Sequence, residues 1–151
     1  MKFKAAIIGT PELAPHLQAQ LDAVSKAQQN SIIVKNRKKI TGSVNIDVAL
    51  QSSNPHDNRW DYAIGYRINS QEDKAFFVEF HKAIVDEVNL VIKKKQWLVN
   101  WMRGKQIDNL LQKVFVWVSS GGNNIPENSQ HRRIININGI ILRRRIDLDI
   151  D

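Results

Sequence analysis

The sequence contains no cysteine. That excludes disulfides and thiolate metal sites, and it is compatible with a reducing, cytoplasmic setting. Long apolar runs are missing as well. The N-terminal run at residues 5–8 is cut off by Gly9-Thr10-Pro11, too short for a signal sequence or a membrane span, so no membrane partner is expected. No internal repeat or low-complexity segment is present. Acidic residues are in deficit, with 15 Asp and Glu against 22 Lys and Arg, a formal charge of +7 and a pI near 9.8. Such a balance favours a polyanionic partner, nucleic acid before a membrane surface, although solubility alone also accounts for it. At 151 residues, 42% hydrophobic and 25% charged, residues 1–151 read as one globular domain with a real core.

The most informative stretch is 60–83. Two apolar-rich runs, WDYAIGYRI and KAFFVEFHKA, flank the polar turn NSQED, the pattern of a β-hairpin. Folding it about Gln71 pairs strand 60–68 with strand 75–82, setting Ile68 against Lys74, Ile64 against Val78 and Asp61 against His81. Side chains alternate between faces along a strand, and opposed residues share a face. One face then carries Tyr62, Ile64, Tyr66, Ile68, Phe76, Val78 and Phe80. The other carries Asp61, Ala63, Gly65, Arg67, Ala75, Phe77, Glu79 and His81, so that Asp61, Glu79 and His81 gather at one end of it.

Around this hairpin the chain reads in order. Residues 3–9 predict a short strand or entry segment. A helix is expected from Pro15, with Leu17, Leu21 and Val24 as its apolar stripe. Residues 31–34 are β-like, followed by the basic cluster Lys35, Arg37, Lys38 and Lys39. Residues 43–51 alternate like one half-buried strand, and 52–59 form a loop. Residues 84–103 predict a long helix ending at Gly104, with Ile84, Val88, Val91, Leu98 and Met102 on one side. A second short helix is expected at 107–113. The run 114–119 predicts a buried strand parallel to 75–82 through a right-handed crossover. Ser119 and Ser120 would then emerge at the sheet end that holds Glu79 and His81. Asn138-Gly139 signals a hairpin within 133–142, and residues 143–151 alternate like an edge strand or tail.

Two carboxylates on neighbouring strands can converge on one hard divalent cation, Mg²⁺ or Mn²⁺, which keeps several waters and is completed by a phosphate. His81 could then serve as a general base, a further ligand or a donor to phosphate. Helix, strand, hairpin with an Asp then Glu-x-Lys, helix, strand is the core order of the PD-(D/E)xK nuclease superfamily, which this sequence resembles over about residues 15–120, with a departure at the lysine. The resemblance implies a restriction-endonuclease-like α/β core: a mixed β-sheet with an antiparallel central hairpin flanked by helices, and the C-terminal hairpin or edge strand 133–151 outside it. It implies Asp61 and Glu79 as metal ligands and places His81 where the family carries lysine. The family often adds an acid from the first helix, for which Asp22 and Glu12 are available.

Each of these residues has a structural reading too. Asp61 and Glu79 could be an edge charge patch paired with Arg59 or Arg67. Trp97, Trp101 and Trp117 read as core, although tryptophans also stack on bases. Arg132, Arg133 and Arg143 to Arg145 read as solvated charge. Two functions follow. One is a metal-dependent nuclease acting on DNA or RNA, with Asp61, Glu79 and His81 catalytic and Lys35, Arg37, Lys38, Lys39, Ser119 and Ser120 on the nucleic acid. The other is an inactive module of the same fold that binds nucleic acid or a protein partner, a second copy of the chain included.

Overall fold

A computed structural model describes residues 1–151. The chain opens with helix α1, Phe3–Ile8, where a strand or entry segment was expected. Phe3, Ala6 and Ile7 are its buried residues, and their i, i+3, i+4 spacing is helical. The helix expected from Pro15 does not form. Pro15 sits in a 3-10 turn, Ala14–His16, followed by strand β1, Leu17–Gln18. Gln20 then has φ 49, a left-handed conformation that a right-handed helix cannot continue through. Leu21 and Val24 are buried all the same, packed from a turn rather than from a helical stripe. A one-turn helix α2, Lys26–Gln29, capped by Ser25, leads to β2, Ile32–Ile33, within the β-like run.

The alternating run 43–51 is not one strand. Strand β3 covers Ile40–Asn45 and gives way to helix α3, Ile46–Ala49. The Asn45 side chain accepts a hydrogen bond from the Val48 N–H at 2.9 Å, so a polar residue inside the alternation ends the strand by capping a helix.

The hairpin forms from β4, Tyr62–Arg67, and β5, Asp73–Ala83. Its register differs from the expected one. Tyr62 faces Val78, Ile64 faces Phe76 and Arg67 faces Asp73, which places Asp61 opposite Glu79, not opposite His81. The turn explains the shift. The Asn69 side chain accepts hydrogen bonds from Gln71 N and Glu72 N, and Ile68 N donates to Glu72 O, closing the loop two residues early on the β5 side. Asp73, assigned to the turn by its polarity, is only 2% exposed and accepts a hydrogen bond from Phe3 N. A shift of two residues in pairing keeps every side chain on its face, so the two-face division survives.

After a 3-10 turn at Val85–Glu87 comes the long helix α4, Val88–Met102, and Gly104 follows it at φ +75. The short helix expected at 107–113 is a 3-10 turn, Gln106–Asn109. Strand β6, Gln112–Asn123, runs parallel to β5 as expected. The Asn138-Gly139 hairpin is absent. Those residues end helix α5, Gln130–Ile137, which Ser129 caps at its start, and Gly139 at φ +72 takes the left-handed position beyond a helix end. Strand β7, Ile140–Arg143, then runs parallel to β6. Strand β8, Ile146–Asp147, pairs with β2 in a separate two-stranded ribbon.

The result is an α/β fold with a mixed six-stranded sheet, ordered β1-β3-β4-β5-β6-β7. The strands from β1 to β5 pair antiparallel and those from β5 to β7 parallel. One face packs Ala63, Ala75, Phe77 and Trp117 with residues of α1, α4 and α5. The other packs Tyr62, Ile64, Tyr66, Phe76 and Val78 with Leu21, Val24, Ile146 and Leu148. No helix is long and apolar enough to cross a membrane.

Gly65 is where α1 meets the sheet. A Cβ there would lie 2.4 Å from both Phe3 Cγ and Thr41 Oγ1. Gly65→Ala should therefore lower stability by about 1–3 kcal/mol, the usual cost of overpacking, read from urea unfolding. A change within about 0.5 kcal/mol, the range of neutral surface substitutions, would mean that α1 does not press on the sheet at this point.

Candidate active site

Asp61 precedes β4, and Glu79 lies on β5 with the side chain on the α4 side of the sheet. The two residues lock across the strands. Asp61 N donates to Glu79 Oε1 at 3.1 Å, while Phe80 N donates to Asp61 Oδ2 at 2.9 Å. Glu79 is 0% exposed. A fully buried carboxylate needs compensation, and the compensating charge comes from α4. Lys94 Nζ donates to Glu79 Oε2 at 2.5 Å. Burial and then the Glu79 carboxylate push Asp61 up to about 7.

His81 lies between two acids. Its Nδ1 is 3.5 Å from Glu79 Oε2 and its Nε2 is 3.2 Å from Glu87 Oε2. The hydrogen bond to Glu79 holds its imidazole above the usual value; burial opposes this, and Glu87 adds to it. Trp117 Nε1 donates to the His81 carbonyl at 2.9 Å, tying the strand ends together. Ser119 pairs directly with His81 across β5 and β6, and its buried Oγ has no partner. Ser120 is exposed beside a shallow depression of about 260 Å³ that includes Lys82, Gly121 and Gly122.

The basic cluster is elsewhere. Lys35 N donates to Asp149 Oδ2 at 2.7 Å, and the Lys39 ammonium lies 5.7 Å from the Tyr66 ring centre. Arg37 and Lys38 belong to the 3-10 turn that leads into β3 at Ile40. Ile40 pairs with Tyr66, whereas Asn45, at the other end of β3, pairs with Tyr62 next to Asp61. Five residues of strand, about 17 Å, therefore separate Lys35, Arg37, Lys38 and Lys39 from the carboxylates. Structure unites Asp61, Glu79, His81 and Ser119, and leaves the basic cluster apart.

The charge-patch pairings do not form. Arg59 holds Asp47 at 3.0 Å, and Arg67 faces Asp73 at the far end of β4. Glu12 approaches Lys105, and Asp22 is exposed on a turn, so neither reaches the site. Trp60 and Trp117 are fully buried, and Trp97 and Trp101 stack on each other against the core.

Two residues that the sequence reading did not place at this site, Lys94 and Glu87, contact Glu79 and His81. Their signal is helical spacing. Val91, Lys94 and Leu98 are three and four residues apart, one stripe of α4, and Glu87 begins the same line one turn earlier. A lysine inside an apolar stripe has to find an acid where the stripe meets the sheet.

No three His, Asp or Glu side chains converge as a ready metal-ligand set. The donors present are two carboxylates, one of them held up to about 7 by burial and by the other. Mg²⁺ and Mn²⁺ are the cations that bind through as few as one or two carboxylates and take the remaining oxygens from water and phosphate, and Asp61 and Glu79 are the residues here that could hold one. No protein-family model, curated protein or solved structure matches the chain.

Asp61 also sets a pH dependence. Its native pKa of about 7 exceeds the ordinary 3.8, so the folded state holds an extra proton between those values. The stabilising contribution is complete at low pH and is lost as pH rises through 7. Asn keeps an oxygen for the Phe80 N–H and cannot ionise. In chelator, Asp61→Asn should therefore raise stability, by on the order of 1–3 kcal/mol at pH 8 and less at pH 5. A gain that does not vary with pH, or a loss at pH 8, in urea unfolding would contradict this electrostatic account.

Proposed function

We propose that the protein is a metal-dependent nuclease with a restriction-endonuclease-like core, cleaving phosphodiesters of DNA or RNA. The observation that carries this reading is the placement of Asp61 and Glu79 on one face at one end of the central hairpin, with the Lys94 ammonium against them. The mixed sheet with its antiparallel hairpin and a parallel β5-α4-β6 unit supports it. Where the resembled superfamily carries a lysine on the strand, this chain has His81 on the strand and a lysine arriving from the helix.

Asp61 and Glu79 would hold Mg²⁺ or Mn²⁺, which when bound polarises phosphate oxygens and lowers the pKa of water. Lys94 supplies a fixed positive charge beside the carboxylates, where charge develops on the phosphate. His81, with carboxylates at both ring nitrogens, favours the charged imidazolium and so adds positive charge near the phosphate in place of a general base, both of its N–H groups being taken by Glu79 and Glu87. Ser119 Oγ, without a partner in the protein, is the hydrogen-bond donor on that side. In the net reaction one water is consumed, the P–O ester bond breaks, hydroxide ends on phosphorus and a proton on the departing oxygen. The net charge of +7 favours approach of the polyanion.

A second reading, a binding module of the same fold without catalysis, is favoured by one observation. Glu79 is fully buried and Lys94 already neutralises it, as a structural ion pair would.

Single- and double-stranded DNA and RNA, incubated with Mn²⁺ or Mg²⁺, separate the two. Cleavage should need the metal and fall at least about 100-fold in Asp61→Asn and Glu79→Gln, the scale of lost electrostatic catalysis. Lys94→Met should cut the rate comparably while Mn²⁺ still binds. Absence of cleavage in all arms, with nucleic-acid binding that weakens with salt, would establish the binding module instead. Activity that survives Glu79→Gln would refute the assignment of this site.

A further inference from the structure

The largest cavity is not at Asp61. It lies at the opposite end of the sheet, where α1, the turn after β1, the 3-10 turn before β3 and the ends of β4 and β5 meet, and it encloses about 580 Å³. That volume is in the range of small-molecule sites. Four cations line it, Lys2, Lys4, Lys38 and Arg67, against the single carboxylate of Asp73.

Two observations bear on this wall. First, none of the four cations has an ion-pair partner, so their charge converges on the cavity without being neutralised by the protein. Four like charges around one cavity repel each other unless an anion sits among them. They come from three separate parts of the chain, so sequence clustering does not explain the convergence. Second, Asp73 is 2% exposed, yet only one of its oxygens is used for hydrogen bonding. Oδ2 accepts from Phe3 N at 2.8 Å, while Oδ1 is buried without a partner. A buried carboxylate oxygen left unpaired is costly, and a donor from a ligand would satisfy it. The wall also contains Gln20, the one non-glycine residue with positive φ. Backbone strain of this kind gathers at ligand sites.

We propose that this cavity binds a small phosphorylated ligand of nucleotide size, with its phosphate among Lys2, Lys4, Lys38 and Arg67 and a hydroxyl or amino group donating to Asp73 Oδ1. Cations recognise the phosphate as charge, and Arg67 can add a bidentate contact. Asp73 supplies selectivity, because a bare phosphate ion offers it charge repulsion where a nucleoside phosphate offers a donor. The site lies six strand residues from Asp61, about 20 Å along β4, so it needs neither the metal nor the nuclease reading.

Calorimetry in chelator at low salt, on the full unaltered chain, keeps metal off the carboxylate pair and so isolates this cavity from it. The probes are inorganic phosphate and AMP. Both should bind, AMP at least about tenfold more tightly, as one further hydrogen bond to a charged group allows. Lys4→Ala with Lys38→Ala, both at exposed positions, should weaken each probe about tenfold or more. Lys26→Ala with Lys93→Ala, an equal loss of two charges at exposed positions away from the cavity, should change neither. Asp73→Asn should narrow the preference for AMP over phosphate. No binding of either probe at millimolar concentration would overturn the proposal, and so would equal losses in the Lys26/Lys93 and Lys4/Lys38 variants.

Discussion

The arrangement of this protein turns on the burial of one carboxylate. Glu79 sits in the middle of the sheet with no exposed surface, and an ionised carboxylate there is tolerable only if it is matched in charge and hydrogen bonding. Asp61 N takes one oxygen and Lys94 the other. Those two contacts fix the start of β4 against β5 and the middle of α4 over the sheet. The anchoring of the chain entering β4 and the seating of the long helix therefore depend on the same side chain. Removing one partner of such a pair commonly costs about 3–5 kcal/mol, because the other charge remains buried.

The same contacts explain why the site is electrostatically tense. Asp61 and Glu79 are two acids with one lysine between them. Lys94 commits to Glu79, so Asp61 meets both burial and a neighbouring negative charge, and its pKa climbs to about 7. A cation relieves that tension directly, which is the physical link between the fold and the proposed function. His81 belongs to the same balance, since its ring nitrogens lie near Glu79 and Glu87 and extend the alternation of charges along the sheet end.

Much of this was legible in the sequence, for identifiable reasons. The two-face division of 60–83 is a period-2 signal repeated on both strands, and it is indifferent to a two-residue slip. The slip itself was not legible. It depends on Asn69 closing the turn and on Asp73 finding Phe3 N, a partner 70 residues away. Periodicity also failed where a cap overrode it, at Asn45, and where a backbone conformation did, at Gln20. The Asn-Gly pair at 138–139 carries the same left-handed preference in a hairpin and at a helix end, and only the helical run before it distinguishes the two. Of the site, the two carboxylates and His81 could be read from strand alternation. Lys94 and Glu87 required the stripe of α4 to be taken as a surface facing the sheet. The basic cluster 35–39 was visible as composition, but its distance from Asp61 is a property of the sheet order alone.

The central claim is that Asp61 and Glu79 together form the seat of a divalent cation. Paramagnetic broadening by substoichiometric Mn²⁺ in amide-resolved NMR tests it most directly. The account predicts selective loss of the Asp61, Phe80 and His81 amides, abolished by Asp61→Asn, with amides near Arg67 and Asp73 unaffected. Broadening that spreads over exposed acidic residues, or that persists in Asp61→Asn, would contradict it.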